Sequence, residues 1–153
     1  MKNYLLGGDI REILSQFFGD KERIPFSGAW HSEKNISATW EIPATECEGH
    51  FDTLPGARLL EASAQAAAVL VKALGMFDGR LPMLEGGDSF DFKHSAIAGD
   101  DVVFLVEILD LKGKRGSVNA FVEVNGQRIA EFLRLRFRAH RIGALERLKK
   151  KAA

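Results

Sequence analysis

The residues best suited to chemistry sit on one stretch and just before it. Glu61 lies within Leu59–Leu74, whose only other polar members are Ser63, Gln65 and Lys72; alanine fills positions 62, 64, 66, 67 and 68. A helix that is apolar nearly all round is a buried one. A carboxylate buried there without a partner is costly, so it ends up paired or neutralised. A carboxyl held neutral by an apolar site is a ready general acid. Gln65 follows one turn later, where its amide can orient the Glu61 carboxyl. The plain structural alternative is an exposed Glu61 that favours the dipole of the helix's first turns. The residues alone leave both open.

Upstream stands Cys47-Glu48-Gly49-His50-Phe51. A lone histidine is more often structural than catalytic. Here Gly49 permits an unusual backbone, Phe51 could anchor the loop in the core, and His50 precedes the Pro55-Gly56 helix start. Free amides at that start can hold a developing oxyanion. Cys47, three residues before His50, suggests a thiolate or a metal pair less readily than a small buried apolar residue. His31, His94 and His140 show no partner pattern. No G-x-S-x-G elbow, P-loop, G-x-G-x-x-G or H-E-x-x-H occurs.

These residues need elements to position them. Asp9 to Phe18 is expected to be a short amphipathic helix, capped by Asp9 and stopped at Gly19. Residues 20–34 are polar and broken by Pro25 and Gly28. Ile36, Ala38, Trp40 and Ile42 alternate with polar residues and predict a strand. Pro55-Gly56 opens the longest helix, which stops at Gly75. After a Gly-rich connection, strands are expected at about 88–94, 101–110, 115–125 and 127–139, with Asn125-Gly126 a strong hairpin signal. The sum is an α+β domain in which one antiparallel sheet covers one dominant helix.

Composition bounds the rest. The chain has 153 residues, suited to a single domain, and 46% of them are hydrophobic and 27% charged, as in soluble globular proteins. Basic and acidic residues number 21 each, which argues against a generic nucleic-acid binder. One cysteine excludes an intrachain disulfide or a Cys-rich zinc site. Leu59–Leu74 is too short and too polar to span a bilayer, and no signal peptide is visible, so a cytoplasmic domain is expected. Charge is uneven: from Arg134 onward there are eight basic residues and one acid. Arg134, Arg136 and Arg138 alternate with Leu133, Leu135 and Phe137, the period of a strand with one buried face. Those arginines could pair with Glu123 or Glu107 on a neighbouring strand, or dock an acidic partner. A basic tail follows, at about 141–153.

Gly49-His50-Phe51 followed by Pro55-Gly56-Ala57-Arg58-Leu59-Leu60-Glu61-Ala62-Ser63-Ala64-Gln65 resembles the motif of the 3-hydroxyacyl-acyl carrier protein dehydratases, the FabZ/FabA type with a hotdog fold. Phe90-Asp91-Phe92-Lys93 running to Gly99-Asp100 is similar to a second segment of that family, and the likeness covers roughly residues 45–135. His50 and Glu61 stand 11 positions apart, a shorter loop than the family's, and Asp52-Thr53-Leu54 replaces its Pro and Gly. The amino-terminal element of the family is reduced to Ile24-Pro25-Phe26.

The resemblance implies a single hotdog domain, with an antiparallel sheet wrapped around one long central helix. It implies a homodimer whose site combines His50 of one copy with Glu61 of the other. The implied activity is dehydration of a 3-hydroxyacyl thioester to the trans-2-enoyl thioester in fatty acid or polyketide-like biosynthesis. His50 would take the α proton, Glu61 would protonate the leaving hydroxyl, and the Gly56 N–H would hold the thioester oxygen. Gln65 and Phe51 would position substrate. No metal or redox cofactor is needed. The partner would be acyl carrier protein or a coenzyme A thioester, with Arg58 or Lys93 as docking cations. The rival readings are a hotdog thioesterase, in which Glu61 activates water, a non-catalytic acyl-binding or assembly subunit, and an RNA-associated protein using the basic end.

Overall fold

The computed structural model describes residues 2–141, so the tail expected at about 141–153 lies outside the described residues apart from Arg141. The chain runs β1 (Asn3–Leu6), α1 (Gly7–Ser15), β2 (Gly28–His31), β3 (Asn35–Glu41), a 3-10 turn at Ala44–Glu46, α2 (Gly56–Ala73), β4 (Arg80–Gly86), β5 (Ser89–Phe92), β6 (Asp101–Lys112), β7 (Arg115–Val124) and β8 (Gln127–Arg141). The strands form one antiparallel sheet in the order β1-β2-β3-β6-β7-β8-β4, with β5 also pairing β8.

The alternating residues of β3 place Ile36, Ala38 and Trp40 inside, and those of β6 place Val102, Phe104 and Val106 there, each at most 2% exposed. α2 lies against this face and touches β3, β4, β6, β7 and α1. Ala62, Ala66 and Ala68 are buried with Leu59, Val69, Leu70 and Val71. Their small side chains let the sheet close tightly on the helix. The helix ends at Gly75, whose φ of +73° suits glycine. Met76 N–H donates to the Val71 carbonyl and Gly75 N–H to that of Lys72, the paired bonds of a Schellman stop. Asn125 and Gly126 both have positive φ, as the tight β7–β8 hairpin requires.

Several expectations are corrected. The first helix is Gly7–Ser15 rather than 9–18; Asp9 sits within its first turn, and its Oδ2 accepts the Leu6 N–H at 3.0 Å. β1, β2 and β4 were not expected. β1 and β2 are only four residues long and β4 contains Pro82, so none carries a clear alternation. Along β8 the alternation breaks. Val118 pairs Leu135 and Ala120 pairs Phe132, so Asn119 faces two residues, Leu133 and Arg134. Both are exposed, Arg134 has φ +49°, and its N–H donates to Asn119 Oδ1 at 2.9 Å. This is a β-bulge. The arginines do not use Glu123 or Glu107. Arg134 and Arg136 pair with Asp88, Arg134 also lies near Asp110, and Arg138 pairs with Glu85. Glu123 instead takes Arg128, and Glu107 accepts from Asn119. The basic stripe is thus a solvated strand face bound to its own acids.

Candidate functional site

Glu61 stands in the second turn of α2, half-buried. Its Oε1 accepts from Gln65 Nε2 at 2.8 Å, the i to i+4 contact that the helix spacing allows. Gln65 is 1% exposed and fully engaged. Its Nε2 also donates to the Glu22 carbonyl at 2.7 Å, and its Oε1 accepts the Ile24 N–H at 2.8 Å. The amide orientation is therefore set by the network: both N–H groups have acceptors and the oxygen has a donor. The segment around Glu22–Ile24, which looked in the sequence like a polar loop, is strapped over the helix at the acid. One carboxylate oxygen of Glu61 is held by Gln65, and Glu61 lines a cavity. That cavity, about 260 Å³, is walled by Phe18, Ala57, Leu60, Ala64, Gln65, Leu81, Pro82, Met83 and Leu84 beside Glu61. Apart from Glu61 and Gln65 every wall residue is apolar.

His50 is not among those walls. It lies on the exposed turn after the 3-10 segment, where its N–H donates to the Cys47 carbonyl and its own carbonyl accepts from Thr53 Oγ1 at 2.7 Å. Its ring forms no hydrogen bond among the described residues. The turn is pinned to residues 96–97 through Leu54 N–H to the Ala96 carbonyl and a Thr53–Ile97 bridge. Phe51 does not anchor this loop in the core. It is 98% exposed, because Gly49, Phe51 and Asp52 all adopt positive φ and turn the ring outward. For Phe51 and Asp52 that backbone is strained.

Gly56, the first residue of α2, carries one of the amides that a helix start leaves without an intrahelical acceptor. It lines a separate cavity of about 300 Å³ with Leu54, Leu59, Phe92, Lys93, His94 and Ser95. A Cβ at this position would fall 2.8 Å from Phe92 Cε1, so glycine admits the close approach of β5. Within one chain, then, the fold joins Glu61 to Gln65 and Gly56 to Lys93, while His50 and Phe51 project from a third place.

The two proposed docking cations are already paired. Arg58 makes a two-pronged contact with Glu46, Nε to Oε2 at 3.0 Å and Nη2 to Oε1 at 2.9 Å, and its guanidinium lies 5.7 Å from the centre of the Trp40 ring. It ties the start of α2 to the 3-10 turn. Lys93 Nζ lies 3.0 Å from Asp91 Oδ2. The Asp91 carboxylate beside it, with Glu131 further off, holds that ammonium's pKa above its ordinary value. Cys47 is a free, buried thiol. Burial, joined by the charges of Asp52 and Glu46, raises its pKa and keeps it protonated, which suits a packing role. Among the described residues no group of three His, Cys, Asp or Glu could hold a metal ion, and no helix is long and apolar enough to cross a membrane.

Solved structures place the architecture. The ApeI:P dehydratase heterocomplex from Xenorhabdus doucetiae aligns at TM-score 0.70 over 86% of this chain and 91% of that one, at 19% identity. The E. coli PaaI protein of the phenylacetic acid degradation operon aligns at 0.59 over 72% and 79%, also at 19% identity. The fold is the hotdog fold. No family model matches the chain. Among curated relatives, the 3-hydroxyacyl-acyl-carrier-protein dehydratase FabZ of Clostridium botulinum (strain Eklund 17B) is 32% identical over 101 residues, which is 64% of this chain and 68% of that protein. The enzyme of the same name from Clostridium tetani is 35% identical over 86 residues, 54% and 61%. That from Enterococcus faecalis is 29% identical over 103 residues, 65% and 70%. The chain belongs to the FabZ dehydratase family, as a divergent member.

Proposed function

We propose that the protein dehydrates a 3-hydroxyacyl thioester to the trans-2-enoyl thioester, with carrier protein or coenzyme A as the thiol. The observation that carries this is the Glu61 carboxyl, clasped on one oxygen by a buried glutamine and facing an otherwise apolar cavity. A carboxyl so placed can act as general acid toward a leaving hydroxyl bound in that cavity.

His50 of a second copy removes the C2 proton while the Gly56 N–H of that same copy holds the thioester oxygen. The C3–O bond breaks, the C2–C3 double bond forms, and the hydroxyl leaves as water with the Glu61 proton. The proton left on His50 then returns to the Glu61 carboxylate through solvent. The exposure of the His50 loop supports a site completed by two copies. Arg58 is held by Glu46 through two hydrogen bonds and is the less exposed of the two cations; Lys93, with a single contact to Asp91 and a place beside Gly56, is the better placed.

The test follows both products from 3-hydroxyacyl thioesters in wild type, His50→Ala and Glu61→Gln. Enoyl thioester should form in wild type and fall about 10²–10⁴-fold in each variant, the usual worth of a general acid or base. Free thiol without enoyl would replace dehydration with thioester hydrolysis. No product on any substrate would leave an acyl-binding subunit.

A further inference from the structure

The Gln65 amide is held from outside its own helix. Its Nε2 donates one hydrogen to the Glu22 carbonyl and one to Glu61 Oε1, and its Oε1 accepts the Ile24 N–H. Both outside partners are main-chain groups of the segment strapped over α2. Without them the amide can turn over and set its oxygen against the Glu61 carboxylate, acceptor facing acceptor. The strap therefore decides which end of the glutamine meets the acid. It is itself pinned at a distance. Its ends rest on Leu14 and Ile24, 0% and 2% exposed, while residues 19–22 lie on the surface. Between them the Phe17 ring centre lies 5.1 Å from Lys72 Nζ of α2. That ammonium also donates to the Phe77 carbonyl at 3.3 Å, lies 4.0 Å from Asp78 Oδ1, and belongs to a side chain 11% exposed. A cation over an aromatic face binds more firmly when shielded from water.

Resting on the reading above, we propose that the strap positions the Glu61 acid through Gln65, and that Lys72 is a remote positioning residue that keeps the strap closed on α2. Lys72 stands 11 positions beyond Glu61 on the same helix. At the helical rise that is about 16.5 Å along the axis. Its route to the acid is the strap: Lys72 to the Phe17 ring, the backbone from Phe17 to Glu22 and Ile24, then Gln65 and Glu61. A segment with an exposed tip lies at the low end of local opening free energies. Loss of one attachment therefore changes the closed fraction enough to reach turnover. With the strap open, Gln65 rotates and the carboxyl loses its fixed donor.

The test uses the full chain carrying Lys72→Met, which keeps the apolar stem without the charge, Lys72→Arg, which keeps the charge, or Phe17→Leu, which removes the ring. Turnover is read as kcat with saturating 3-hydroxybutyryl-pantetheine. Hydrogen exchange is followed by NMR at the Ile24 backbone amide, the Gln65 side-chain amide and the Phe104 amide in the middle of the sheet. Lys72→Met and Phe17→Leu should each lower kcat at least threefold and speed exchange at Ile24 and Gln65 at least threefold, with Phe104 unchanged. The double variant should add little to either, and Lys72→Arg should restore both. Unchanged exchange at Ile24 and Gln65 overturns Lys72 as the anchor of the strap. Faster exchange there with wild-type kcat overturns the strap as a positioning device and leaves dehydration standing, and so does an equal rise at Phe104, which marks a general loss of stability. Exchange that responds as expected in a protein whose wild type forms no enoyl thioester keeps the strap's hold on Gln65 and overturns dehydration.

Discussion

At the scale of single residues, Gln65 joins structure to chemistry. Its three hydrogen bonds reach Glu61 four positions away and Glu22 and Ile24 more than forty positions away. Replacing it with leucine keeps the volume roughly constant but strands the Ile24 N–H and the Glu22 carbonyl. A buried polar group left without a partner costs about 1–3 kcal/mol. For a chain of this size, a loss of about 2 kcal/mol lowers the melting temperature by roughly 4–8 °C. Gln65→Leu should melt that much lower by circular dichroism; an unchanged midpoint would mean the strap does not depend on this amide. The pairing of Glu61 and Gln65 was legible in the sequence, since four positions on a helix is a contact distance. The partners at Glu22 and Ile24 were not, because nothing local marks which backbone groups a glutamine will meet after the chain has folded back.

At the scale of elements, long strands and the long helix were legible because each repeats its own period over many residues. α2, β3, β6 and β7 match their expected spans closely. β2 and β4 were invisible. A four-residue strand offers two inward positions, too few for a pattern, and β4 carries a proline that demotes a strand reading. The bulge in β8 was hidden for a different reason. Leu133, Arg134 and Leu135 fit a simple alternation, and only the opposing Asn119 shows that one position has been added. Close packing between β7 and β8 yields a prediction at this scale. A Cβ on Gly116 would fall 2.5 Å from Phe137 Cζ and 2.6 Å from Leu111 Cδ2. Overpacking of that kind costs about 1–3 kcal/mol. Gly116→Ala should lower the urea midpoint without changing the slope of the transition. A midpoint equal to that of wild type would show that both side chains move aside freely.

At the scale of the whole molecule, one chain leaves its proposed parts in three places. Phe51 is 98% exposed on a strained turn, and Met83, Leu84, Phe90, Phe92 and Ile97 are each at least 40% exposed. β4 and β5 each have β8 as their one sheet neighbour among the described residues. The second copy proposed above would cover these groups and present its His50 to Glu61. Light scattering should therefore report twice the chain mass. Mixing His50→Ala with Glu61→Gln after joint refolding should restore roughly a quarter of wild-type turnover, since half the pairs are mixed and each mixed pair holds one intact site. A monomer, or a mixture as inactive as its parents, would confine the chemistry to a single chain. What the sequence by itself determined is what short-range periodicity can carry: a buried alanine-rich helix, a glutamate and glutamine one turn apart on it, and long strands and a hairpin to wrap it. Only the tertiary structure decided which backbone groups strap the glutamine, that Arg58 belongs to Glu46 and that Phe51 faces outward. Those outcomes depend on which distant surfaces meet when the sheet closes on the helix, and contacts between distant segments leave no repeating trace along the chain.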